Sequence, residues 1–101
     1  MAALNSTVVS VAASATSVVL AAASGARRGL TVYNDSTSVL YLKYGPGAST
    51  SLFTVQVPGG GVYELPVVPL TPSEAVGGCY SGVVTGVWSS AVGAAMVTEV
   101  S

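Results

Sequence analysis

The sequence contains no histidine, only one cysteine, and very little charge: 7% of its 101 residues are Asp, Glu, Lys or Arg. Each shortage excludes a class of function. Without histidine there is no imidazole base, no histidine-containing triad and no histidine metal ligand. A lone Cys79 cannot close an intrachain disulfide or build a multi-cysteine zinc site. No basic residue near it in sequence would lower its pKa, so it reads as a small, partly buried side chain. The four acids, Asp35, Glu64, Glu74 and Glu99, fall on separate segments. Glu64 and Glu99 would resemble a glycosidase pair only if the fold brought them together. The simpler expectation is that each acid is solvated or paired with Arg27, Arg28 or Lys43. The run Gly59-Gly60-Gly61 is followed by no Lys-Ser/Thr and opens no helix, so it is not a phosphate loop. The expectation is a protein without a cofactor that is not an enzyme.

The net charge of −1 lacks the basic face that a nucleic-acid binder uses to displace counterions. It offers no attraction to an anionic membrane either. Residues 2–23 are rich in Ala and Val, but the first positive residue is Arg27, so no basic n-region precedes them. Asn5, Ser6, Thr7, Ser10, Ser14, Thr16 and Ser17 interrupt the stretch. Neither a signal peptide nor a membrane helix is expected. An ordinary domain is about 25% charged, and an isolated monomer uses that charge to stay apart from its neighbours. Here Ser, Thr, Gly and small apolar residues must cover the surface. Either much of that surface is buried against partners, or it is a neutral, hydrated Ser/Thr surface.

Val, Thr and Tyr are concentrated in short segments separated by Gly, Pro, Asn and Ser. This is the pattern of a sandwich or barrel. The expected fold is a single all-β domain over 1–101, an antiparallel two-sheet sandwich of jelly-roll or Greek-key type with about eight short strands. Strands are expected at 6–12 and 16–22, although the Ala content keeps a helix as the rival for 12–23. Leu30 to Asn34 and Val39 to Tyr44 alternate cleanly around Asn34-Asp35-Ser36-Thr37, which predicts a hairpin. Leu52 to Val57 is predicted to turn at Pro58-Gly59-Gly60-Gly61 and pair with Val62 to Leu65. Pro66 to Gly78 reads as a long connection. Tyr80 to Ser89, with Gly82 and Gly86 inside it, and Ala94 to Val100 complete the set. Residues 1–14 are either an extended arm that reaches a neighbour or the first strand of the chain's own sandwich.

Several of these segments, in this order, resemble a known family. They are Arg27-Arg28-Gly29-Leu30-Thr31-Val32-Tyr33-Asn34-Asp35-Ser36, Leu40-Tyr41-Leu42-Lys43-Tyr44-Gly45, Phe53-Thr54-Val55, Tyr63-Glu64-Leu65-Pro66 and Tyr80-Ser81-Gly82-Val83-Val84-Thr85-Gly86-Val87-Trp88, with Gly93-Ala94-Ala95-Met96-Val97-Thr98-Glu99 at the end. The family is that of small virion proteins of tailed bacteriophages, and the resemblance covers residues 5–100. It implies a structural component located in the virion, such as a capsid cement or decoration protein or a head-fibre base. Neck, tail and baseplate positions stay open. The implied partners are the major capsid protein or other virion subunits. In that family the Tyr-Glu-Leu-Pro segment nearly abuts the Tyr-Ser-Gly strand, so the longer 66–78 connection is a candidate contact of this chain.

Low charge, β content and the resemblance together lead us to expect self-association, as a homotrimer, without nucleic acid or membrane. Arg27 and Arg28 are the one concentration of positive charge. They pair with an acid of a neighbour, or with Asp35 or Glu99 of the same chain, or they sit in a solvated turn. Tyr33, Tyr41, Tyr44, Tyr63, Tyr80 and Trp88 read as core or subunit-interface aromatics, with carbohydrate binding as the rival. Alternation puts Tyr41 and Tyr44 on opposite faces. The candidate interface residues are thus Arg27, Arg28, Asp35, Glu99, Tyr41 and Tyr44.

Overall fold

The computed structural model describes residues 5–67 and 79–101. Among them are eight strands and no helix. The strands are β1 (Ser6–Ala12), β2 (Val18–Ala21), β3 (Gly29–Asp35), β4 (Leu40–Tyr44), β5 (Val55–Val57), β6 (Val62–Glu64), β7 (Val84–Trp88) and β8 (Ala94–Val100). They form two antiparallel four-stranded sheets, β1-β8-β3-β6 and β2-β7-β4-β5. β1 pairs with β8, β2 with β7, β3 with β6 and β4 with β5. A long antiparallel ribbon wound around a core has this order, which is the jelly roll.

Period-two alternation builds the core from both sheets. Leu30, Val32, Ala95 and Val97 point inward from the first sheet, and Leu20, Leu40, Leu42, Val57, Val84 and Trp88 from the second. Burying each large apolar side chain contributes about 1.5–3 kcal/mol. Gly86 sits where Leu20 and Leu40 close over β7, and a Cβ there would come within 2.8 Å of both. The glycine in this strand therefore marks a close approach.

β7 is buried on its outer face as well, because the β4–β5 connection folds back over its own sheet. Gly45 and Gly47, at positive φ of 115° and 76°, turn the chain there. The Thr85 hydroxyl donates to the Gly45 carbonyl (2.7 Å), and the Ala48 amide donates to the Ser17 hydroxyl (3.1 Å). Phe53 lies edge-on against Tyr41, with ring centroids 5.0 Å apart.

Two predicted pairings do not form. β3 and β4 lie in different sheets, so the segment after Asn34 is a corner between sheets and not a hairpin turn. Likewise β6 pairs with β3 and not with β5. A hairpin and an inter-sheet corner leave the same inward alternation in the sequence, so alternation alone could not separate them. β5 is also shorter than the predicted 52–57 strand. Thr54 leaves the ladder to receive the Tyr44 amide on its hydroxyl (2.9 Å), and Phe53 packs on the outer face. β7 begins at Val84, not at Tyr80. From Ser6 on, the segment offered as an arm is the first strand of the sandwich, paired with β8 along its length. Residues 1–4 and 68–78, including most of the Pro66 to Gly78 connection, lie outside the described residues.

The corner after β3 is locked by Asn34, which is 0% exposed. Its Nδ2 donates to the carbonyls of Ser38 (2.8 Å) and Val57 (2.9 Å). Its Oδ1 accepts from Trp88 Nε1 (3.1 Å) and the Ser36 hydroxyl (2.7 Å). Its own amide and carbonyl bond to Gly61 and Gly60. Asn34→Leu, an apolar replacement of similar size, would strand these buried groups at about 1–3 kcal/mol each. The expected outcome is a loss of at least about 3 kcal/mol of unfolding free energy in urea titration followed by Trp88 fluorescence.

Candidate interface

The six candidate interface residues fall in four different environments. Arg27 is 4% exposed and lies in the β2–β3 connection, whose turn is closed by its amide on the Ser24 carbonyl. Its Nε donates to Glu99 Oε2 at 2.6 Å. Nη1 donates to the carbonyls of Tyr80 and Gly82, each at 2.9 Å, and Nη2 to that of Ala22 at 2.6 Å. Taking a guanidinium out of water costs several kcal/mol, so it stays buried only when its donors are matched. Here one carboxylate and three carbonyls match them. The planar fork of arginine reaches all four at once, which a lysine could not. The result is a clamp that ties β8 and the chain entering β7 to the start of β3.

Of the pairings expected for Arg27, the structure therefore contains the one with Glu99 of the same chain. Arg28 is exposed beside it, held by its backbone amide to the Val100 carbonyl. Asp35 is exposed at the other end of β3, opposite Ala94 of β8, so it does not meet Arg28. Glu64 lies opposite Thr31 on the outer face of the first sheet, whereas Glu99 points inward with Val97. The two carboxylates are on opposite faces and form no acid–base pair. Among the described residues, no group of three or more Cys, Asp or Glu converges as a metal site.

Tyr41 and Tyr44 point to opposite sides of β4, in keeping with alternation. Tyr41 packs on Phe53 under the β4–β5 loop. Tyr44 faces inward, stacks on Tyr80 (centroids 5.1 Å, planes 10° apart) and shares a hydroxyl–hydroxyl hydrogen bond with Tyr63. Because Tyr63 stands on β6, this bond joins the two sheets. Burial pushes the Tyr44 hydroxyl pKa well up, and the bond to Tyr63 adds to the effect. Tyr80 nonetheless stays 37% exposed, as does Tyr33 (38%) on the outer face of the first sheet.

A groove of about 300 Å³ opens between the edge strands β1 and β2. Its lining includes Thr7, Val9, Leu20, Ala22, Val97 and Glu99. Val8 and Val9, on the two faces of β1, are 59% and 55% exposed. The outer face of the first sheet carries two charges, both acidic and both at its margins, Glu64 on the edge strand β6 and Asp35 at the end of β3. Its central rows run Ser10, Met96, Tyr33, Val62 and Val8, Thr98, Thr31, Glu64. Among the described residues no helix is long and apolar enough to cross a membrane. No family model, curated protein or solved structure matches the chain.

Sequence reasoning missed one side chain that organises this molecule, Asn34, although it carried a readable signal, a polar residue in phase with inward Leu30 and Val32. Arg27 was named with Glu99 as one partner among several, beside the reading of Gly-Ala-Arg-Arg as a solvated turn; its three carbonyl partners were not foreseen. Replacing each arginine separates the two neighbours. Arg27→Ala strands Glu99 and is expected to cost about 3–5 kcal/mol in urea titration, whereas Arg28→Ala should change stability by less than about 0.5 kcal/mol.

Alkaline stability gives a second test. Unfolded, Tyr44 ionises near pH 10; folded, it keeps its proton to higher pH. Its contribution is fully present below about pH 10 and is lost as pH rises beyond that. Tyr44→Phe should therefore flatten the decline in unfolding free energy between about pH 10 and 12 relative to the parent chain.

Proposed function

We propose that this chain is a structural subunit of a tailed-bacteriophage virion, of the capsid cement or decoration kind. In this reading it self-associates and binds larger virion subunits, the major capsid protein foremost. The observation that carries the proposal is the surface. The chain has seven charged residues, and one of them, Arg27, is spent inside the fold. Valine, serine and threonine dominate the outer face of the first sheet, and Val19, Leu52 and Val92 are exposed elsewhere. Scattered exposed apolar residues are ordinary, but a face that bears several of them and whose charges are confined to its margins suits burial against protein. At roughly 25 cal/mol per Å² of apolar area, modest contacts repeated over many identical copies add up to a large stabilisation of a particle.

The segment resemblance supplies the virion as the setting. The jelly roll is compatible with it, since capsid domains are among the proteins built on this architecture; the fold by itself does not assign a function.

Antibody labelling and quantitative mass spectrometry of purified particles test the proposal. The chain should co-purify with particles in copy numbers comparable to those of the shell subunits. A few copies per particle would move the assignment to neck, tail or baseplate, and absence from purified particles would overturn it.

A further inference from the structure

Sheet edges invite pairing with other chains, and folded proteins normally blunt them with short strands, proline, charge or bulges. Three of the four edges here are treated in this way. β5 and β6 have three residues each; Pro58 follows β5, and β6 ends in Glu64. β2 has four residues and a register shift after Val19. β1 is different. It is seven residues long, Ser-Thr-Val-Val-Ser-Val-Ala, without proline, glycine, charge or bulge. All but one of its residues are exposed.

The direction of its backbone groups follows from the ladder. Asn5 and Ser101 exchange both backbone hydrogen bonds, and the Ala13 amide donates to Gly93. Hydrogen-bonded pairs alternate along an antiparallel ladder, so Thr7, Val9 and Val11 turn their polar groups to β8. Ser6, Val8, Ser10 and Ala12 then direct their amides and carbonyls away from the sheet.

We propose that this edge is an interface for a second copy of the chain, with β1 pairing antiparallel to β1 about a two-fold axis at Val9. Three observations favour a second copy as the occupant. The first is register. An axis at Val9 sets Ser6 opposite Ala12 and Val8 opposite Ser10 of the other copy, so every free edge group meets a free edge group. The second is charge. β1 has none, and the one charged residue lining the adjoining groove, Glu99, is already held by Arg27, so like meets like without repulsion. The third is the groove itself, open beside Val9. The two-fold brings the inward row Thr7, Val9, Val11 of one copy against Val11, Val9, Thr7 of the other. The two grooves thus become one apolar seam. The product is a continuous sheet of eight strands, four from each copy. Such a contact is isologous and closes on itself, giving a dimer in place of the trimer anticipated from sequence.

The proposal does not depend on the virion assignment, because the purified chain tests it alone. Light scattering of the full chain should give twice the 9.9 kDa chain mass. Ser10→Pro removes an edge amide that β8 does not use, and Val9→Lys sets like charges across the axis. Each should halve the mass while Trp88 fluorescence and Tm stay near those of the parent. Val9→Cys should form an interchain disulfide under mild oxidation, because close antiparallel pairs stand about 4.5 Å apart at Cα. The unmodified chain, with Cys79 alone, should form none. A monomeric or trimeric parent would overturn the proposal. So would a folded Ser10→Pro that keeps the dimer mass, or a dimeric Val9→Cys that does not cross-link.

Discussion

The fold turns on the hydrogen bond from Trp88 Nε1 to Asn34 Oδ1, buried between the two sheets. Trp88 is the largest side chain in the core, and its N–H must find a partner once water is excluded. Asn34 supplies that acceptor while its amide group holds the carbonyls of Ser38 and Val57. A single side chain thus connects β3, the corner that follows it, the end of β5 and β7. Low dielectric makes such a network strong when complete and costly when broken. Among the described residues no buried side-chain nitrogen or oxygen is left without a partner.

Arg27 does the same at the other end of β3. Its clamp on Glu99, Ala22, Tyr80 and Gly82 fixes the start of the strand that Asn34 fixes at its finish. These two buried groups spare the surface little: the chain has few charges to begin with and uses an arginine and a glutamate on internal order. What remains outside is mostly hydroxyls, glycine and small apolar groups. Such a surface neither steers a charged ligand nor repels a copy of itself. The unblunted β1 edge and the open groove beside it lie on that same charge-poor surface, and the proposed association rests on them.

Much of the architecture was legible in the residues. The period-two runs at 30–34, 39–44 and 94–100 identified the strands and divided their residues between two faces, because a half-buried strand has to alternate. The pairing was not legible in the same way. Asn34-Asp35-Ser36-Thr37 has hairpin chemistry, yet it serves as a corner, because the choice between the two depends on where β8 and β7 lie far along the chain. Tyr44, Tyr63 and Tyr80 were visible as aromatics, but their convergence from three segments was not. Of the candidate interface residues, Arg28 and Asp35 are at the surface, whereas Arg27, Glu99 and Tyr44 are engaged within the chain. No local sequence pattern distinguishes a buried, fully matched arginine from a solvated one.

The central claim is that a neutral jelly roll associates through the free edge of its first strand. Residue-resolved amide hydrogen exchange at two protein concentrations tests it most directly. The account predicts that Thr7 and Val9 are protected at both concentrations, by β8, and that Val8 and Ser10 are protected only at the higher one. Exchange of Val8 and Ser10 at unprotected rates at every concentration would contradict it.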